Sequence, residues 1–127
     1  MRLRKVKNAK EKLEQSPYFI NSPEQYKGKY SEVFQNDFPI HLEIGMGKGT
    51  FLIEMAKTFP NINFIGVEKY DSVLIRAIEK VGVLNLKNIK LMCYDAANID
   101  EVFDQEIDLL YLNFSDPWPK NRNAKRR

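Results

Sequence analysis

From Pro39 onward the chain alternates short apolar runs with amphipathic stretches, and that alternation narrows the possible folds more than any other feature. Ile40 to Ile44 reads as a strand and Gly45-Met46-Gly47-Lys48-Gly49 as a turn. Thr50 to Thr58 reads as a helix with Phe51, Leu52, Met55, Ala56 and Phe59 on one face. Pro60-Asn61 breaks the pattern, and Ile62 to Val67 forms a second strand that ends in Glu68. Residues 71–81 place Val73, Leu74, Ala77, Ile78 and Val81 at helical spacing. A third strand runs from Asn88 to Met92 and ends near Asp95, and Ile99 to Phe103 makes a short helical turn. Ile107 to Leu112 is the fourth strand, an apolar run too short for a helix. Strand and helix in strict alternation predict an α/β fold with a parallel sheet and right-handed crossovers.

Residues 1–38 read as a separate, basic arm without a sustained period. Lys10 to Gln15 is a short helix, and Ser16-Pro17 and Ser22-Pro23 break the segment. Tyr18, Phe19, Tyr26, Tyr30 and Phe34 give this arm aromatics with which to dock on the domain formed by residues 39–127.

At 127 residues the chain has room for one domain. No window approaches the ~18 uninterrupted apolar residues of a membrane span, and no apolar signal-peptide stretch follows the basic N-terminus. The single cysteine, Cys93, excludes an internal disulfide and a cysteine-based metal cage, and its apolar neighbours from Ile89 to Tyr94 make it a structural thiol. The expectation is a soluble, cytoplasmic protein without a metal. Net charge is +3, but it is segregated: residues 1–12 carry six Lys/Arg against one Glu, and residues 120–127 carry five and no acid. Nine Lys/Arg and sixteen Asp/Glu remain between them. A mildly acidic body with two basic ends suits a polyanion held by those ends, and no apolar face accompanies the charges to suggest a membrane.

The glycine turn departs from both common phosphate cradles. A dinucleotide fingerprint needs a third glycine at position 50, which is Thr; a nucleotide P-loop needs Ser or Thr after Lys48, where Gly49 stands. Glu43, just ahead of the turn, repels a pyrophosphate and attracts a cation. Glu68, at the second strand's end, is placed to accept both hydroxyls of an unphosphorylated ribose, and Asp95 to accept an adenine amino hydrogen. Three carboxylates after three successive strands, around a turn whose Gly45 and Gly47 admit close approach, suit a ligand with ribose, adenine and an amino group but no phosphate. S-adenosylmethionine fits that description. At the fourth strand's end, Asn113-Phe114-Ser115-Asp116-Pro117-Trp118-Pro119 sets an amide, a carboxylate and a proline-bracketed ring where ligands of open α/β sheets bind.

Leu42 to Gly49, Phe64 to Glu68, and above all Tyr-Leu-Asn-Phe-Ser-Asp-Pro-Trp-Pro-Lys at 111–120 with its basic tail resemble the bacterial tRNA (guanine-N7)-methyltransferases. The resemblance runs over about residues 24–127 and implies a Rossmann-like class I methyltransferase fold. Glu43, Gly45, Gly47, Glu68, Asp95 and Asp116 would bind S-adenosylmethionine, and Asp116 would lie at the methyl-transfer centre. Lys120, Asn113 and Trp118 would meet the guanosine, while Arg122, Lys125, Arg126 and Arg127 would touch RNA. Asn121 and Asn123 stand where the family often has Lys and His, which would loosen the tail's grip, and Met46 replaces a usually small or polar residue.

The family continues past the Arg-Arg pair, so this chain is expected to hold the N-terminal half of a mostly parallel sheet, with four strands present and the later ones lacking. On that expectation the chain alone is marginally stable and inactive on tRNA, a monomer or a homodimer joined through residues 107–114. Whether the stop at Arg127 is natural stays open. So do two other classes: a nucleotide-dependent oxidoreductase, disfavoured by the glycine spacing and Glu43, and a non-catalytic module that binds S-adenosylmethionine or RNA. His41 reads as a packed or edge histidine.

Overall fold

The computed structural model describes residues 8–112. Four parallel strands form one sheet in the order β3-β2-β1-β4, with β1 at Ile40–Ile44, β2 at Asn63–Glu68, β3 at Ile89–Cys93 and β4 at Leu109–Leu112. Helix α3 (Thr50–Thr58) joins β1 to β2, and α4 (Asp71–Leu84) joins β2 to β3. Two short helices, α1 (Ala9–Glu14) and α2 (Tyr30–Phe34), precede β1, and a 3-10 turn spans Ala96–Glu101. The chain moves outward from β1 to β3 and then returns to β1's other side with β4. The sheet therefore has a topological switch point between β1 and β4, where ligands of such folds bind. Among the described residues no helix is long and apolar enough to cross a membrane.

Burial follows from a parallel sheet covered on both faces. All six residues of the central strand β2 are buried. Phe64 and Gly66 face a core with Leu52, Leu74, Ala77, Ile89 and Leu91, while Ile65 and Val67 face another with Ile20, Tyr30, Leu42 and Met92. Helix α3 buries Leu52, Ile53 and Ala56. The expected face is rotated: Phe51 and Phe59 stay partly exposed, and Phe51 leans edge-on against Tyr111 of β4 at 5.0 Å. Helix α4 runs a turn beyond residue 81, to Leu84. β3 starts one residue later than expected, at Ile89; Asn88 before it accepts the Phe64 amide at 2.8 Å through its own carbonyl. Its buried amide donates to the carbonyls of Ala56, Phe59 and Ile62 and thereby closes the C-terminal end of α3. β4 is shorter than the apolar run that encodes it, since Asp108 turns its carboxylate to the amide of Ile40 at 2.8 Å.

Of the described residues before β1, Leu13, Ile20 and Tyr30 are part of the core. Tyr18 and Ile20 pair with Leu91 through two 2.8 Å backbone hydrogen bonds, so Phe19 lies as a parallel bridge along the outer edge of β3. Tyr30 is completely buried, donates its hydroxyl to the carbonyl of Pro23 at 2.9 Å and packs on Phe103 at 4.8 Å. The opposite edge, β4, exposes Leu109, Leu110 and Leu112 to 42–45%.

Candidate functional site

Each candidate carboxylate is delivered by a strand end. Glu43 is fully buried on β1 and pairs with Gly66 in the ladder, and Glu68 stands two residues beyond Gly66 on β2. Paired residues of a parallel ladder share a face and residues two apart repeat it, so Glu43 and Glu68 project to the same side. Asp95 follows β3 by two residues, is exposed, and accepts the amide of Ala97 at 3.0 Å to begin the 3-10 turn.

The glycine turn between β1 and α3 is fixed from above and below. Gly45, Gly47 and Gly49 all take positive φ (79°, 58° and 84°), and Gly49 forms the left-handed N-cap of α3. The amides of Gly45 and Met46 both donate to the carbonyl of Val67, at 3.0 and 3.1 Å, which ties the turn to the end of β2. On the rim, the amide of Gly47 donates to Glu68 Oε1 at 3.0 Å, and the amide of Tyr70 donates to Oε2 at 3.2 Å. Below, Met46 is buried at 4% exposure. A side chain at Gly66 would collide with Met46 Sδ and would stand 2.8 Å from Leu52 Cδ2 and 2.9 Å from Leu91 Cδ2. Gly66 is therefore the socket into which the turn's methionine plugs, a close approach only glycine allows. Met46 stands where a small or polar residue is usual, and its position in the core explains its apolar character.

This geometry favours one ligand chemistry over another. In a phosphate cradle the turn amides point at the anion. Here the Gly47 amide is already given to the carboxylate of Glu68, which is 8% exposed. A carboxylate oxygen has two lone pairs, so each oxygen of Glu68 keeps capacity for a ligand hydroxyl while holding its amide. The acceptor set Glu43, Glu68 and Asp95 thus suits hydroxyls, amino groups and a cation. Among the described residues no group of three or more His, Cys, Asp or Glu is arranged to hold a metal ion.

His41, on β1, packs edge-on against Phe64 at 5.5 Å and holds Nδ1 3.4 Å from the Tyr111 hydroxyl. Burial lowers its imidazole pKa from 6.5, and the nearby Asp108 opposes that shift. Cys93 is half-buried against the Lys69 carbonyl; burial, chiefly, pushes its thiol above the ordinary value, the opposite of an activated nucleophile. Asn113, Asp116, Trp118, Lys120, Arg122, Lys125, Arg126 and Arg127 lie outside the described residues.

A family model described as "Putative methyltransferase" matches residues 37–127. A tRNA (guanine-N(7)-)-methyltransferase of Lachnoclostridium phytofermentans is 52% identical over 128 residues, covering 100% of this chain and 60% of that protein. One of Streptococcus mutans with the same name is 54% identical over 129 residues, covering 100% of this chain and 61% of that protein. The chain thus spans about 60% of the length of these curated relatives. Among solved structures, an antibiotic-related methyltransferase superposes with a TM-score of 0.60 at 19% identity, over 73% of this chain and 48% of that one. The likeness is one of fold: the sheet is that of a Rossmann-like methyltransferase.

Proposed function

The chain belongs to this methyltransferase family, and from that premise we propose that it carries the S-adenosylmethionine-binding part of a tRNA (guanine-N7)-methyltransferase. The single observation that carries the reading is the hydrogen bond from the Gly47 amide to Glu68, which gives a phosphate-cradling amide to a carboxylate. It weighs against the nucleotide-dependent oxidoreductase, whose pyrophosphate needs that amide. The names of the relatives supply the substrate.

When bound, S-adenosylmethionine supplies a transferable methyl on a cationic sulfur. Glu68 would hold the ribose hydroxyls with the lone pairs left over from Gly47 and Tyr70. Asp95 would take the adenine amino group, and buried Glu43 would face the amino group or the cation. Guanine N7 offers an in-plane lone pair and has no proton to lose, so no general base is needed. The remaining work is to position the base and place negative charge beside a ring that becomes cationic. Asp116 suits both tasks: it would accept from the guanine amino edge and stabilise the developing charge. Asn113 would orient the base, Trp118 would stack on it once it leaves the RNA stack, and Lys120, Arg122, Lys125, Arg126 and Arg127 would neutralise the RNA backbone. The chain would act in the cytoplasm, where tRNA is found.

Titration calorimetry with S-adenosylmethionine tests the cofactor assignment. Glu68→Ala should weaken binding by roughly 1.5–3 kcal/mol, the usual worth of hydrogen bonds to a charged group; unchanged affinity would remove Glu68 from the site. For the transfer itself, nucleoside mass spectrometry should find N7-methylguanosine in tRNA treated with a protein of the relatives' full length. Asp116→Ala in that protein should slow its formation by roughly two to three orders of magnitude while cofactor affinity stays within a few-fold.

A further inference from the structure

The glycine turn and α4 together present a cationic cleft for which the cofactor chemistry above has no use. Lys48, Arg76, Glu79, Lys80 and Val83 line an open cleft of about 360 Å³. Lys48 is an exposed residue of the turn, and Arg76 and Lys80, four apart on α4, rise from the same side of that helix. Among the described residues the ion pair within 4.0 Å is Lys57 with Glu54, so no carboxylate in contact neutralises these three cations. They belong to a body, residues 13–119, with nine Lys/Arg against sixteen Asp/Glu. That three of the nine converge with one acid is a local reversal of the body's charge.

A cationic rim repels the sulfonium of the proposed cofactor and attracts a polyanion. Lys48 belongs to the turn that would hold the cofactor, so the cleft begins at that turn and continues along α4. We infer that Lys48, Arg76 and Lys80 bind the phosphate backbone of the substrate RNA, in addition to the basic runs at 1–12 and 120–127. This rests on the RNA-substrate reading above. The contact is to phosphates and carries no base recognition, so it orients the RNA without selecting its sequence.

The test is fluorescence anisotropy of labelled tRNA with the full chain across a salt series. The double variant Arg76→Glu/Lys80→Glu should bind at least about tenfold more weakly near 0.1 M salt. Its plot of log affinity against log salt should be shallower by about two, since each neutralised phosphate contributes a slope of roughly 0.9 or slightly less. Glu79→Lys should do the opposite, tightening binding and steepening the slope by about one. Both should keep cofactor affinity within twofold. Wild-type affinity and slope in the double variant, with a wild-type circular dichroism spectrum, would overturn the inference. So would binding of phosphatidylserine vesicles that is lost in the double variant while RNA binding is retained. If the wild-type chain binds S-adenosylmethionine but no tRNA at the lowest salt, the RNA-substrate reading fails first and takes this inference with it.

Discussion

Glu106 is a single side chain that ties the backbone at residues 28–30 to its own loop before β4. Its Oε2 accepts the amides of Gly28 at 2.7 Å and Asp104 at 3.0 Å, and its Oε1 accepts the amide of Tyr30 at 3.0 Å. Tyr30 is the first residue of α2, so the carboxylate also sits where a helix start favours negative charge. Hydrogen bonds to a charged group are worth about 1.5–3 kcal/mol each, and water takes over part of that at a half-exposed site. Glu106→Ala should therefore cost about 2–3 kcal/mol in urea unfolding, and Glu106→Gln, which keeps one acceptor oxygen, clearly less. An unchanged midpoint for the alanine variant would mean that these short distances contribute nothing to stability.

At the scale of elements, the glycine turn is held by shape as much as by hydrogen bonds. If Met46 and Gly66 are knob and socket, each single change should hurt and the pair should partly compensate. Met46→Ala should cost about 2–5 kcal/mol through the cavity it leaves, and Gly66→Ala about 1–3 kcal/mol through overpacking. In the double variant the new methyl occupies space the methionine vacated, so a denaturation cycle should show a favourable coupling of about 1 kcal/mol or more. Strict additivity would place Met46 elsewhere. This lock also marks where the sequence stops being legible. Ile40–Ile44, Thr50–Thr58 and Asn63–Glu68 could be read closely because local periodicity encodes them, and their ends then located Glu43, the turn and Glu68. Met46 could not be read, because its burial depends on an absent side chain on the neighbouring strand. Nor could the bond from Gly47 to Glu68, which depends on how far the turn folds back over β2. The rotated face of α3 has the same origin: Phe51 and Ile53 are equally apolar, and contacts distant in sequence decide that Ile53 enters the core with Ala77 and Ile78 while Phe51 rests on Tyr111.

At the scale of the molecule, the two borders that the sheet has among the described residues are unequal. The outer edge of β3 is covered by residues 18–20, whereas β4 exposes three leucines on a strand paired, among the described residues, with β1. Exposed apolar edge strands invite pairing. Sedimentation velocity should show concentration-dependent association of the chain, and Leu110→Lys should suppress it; a monomer at every concentration would show that the leucines do not act as an adhesive edge. The covered border has a consequence of its own, in time rather than in space. Tyr18 and Ile20 wait for Leu91, and Gly28 and Tyr30 wait for Glu106, partners more than seventy positions later in the chain. A nascent chain emerging from the ribosome must therefore carry Tyr30 without its later partners until Phe103 and Glu106 have been made. Contacts that span so much chain form slowly, so residues 18–30 are expected to be among the last to settle.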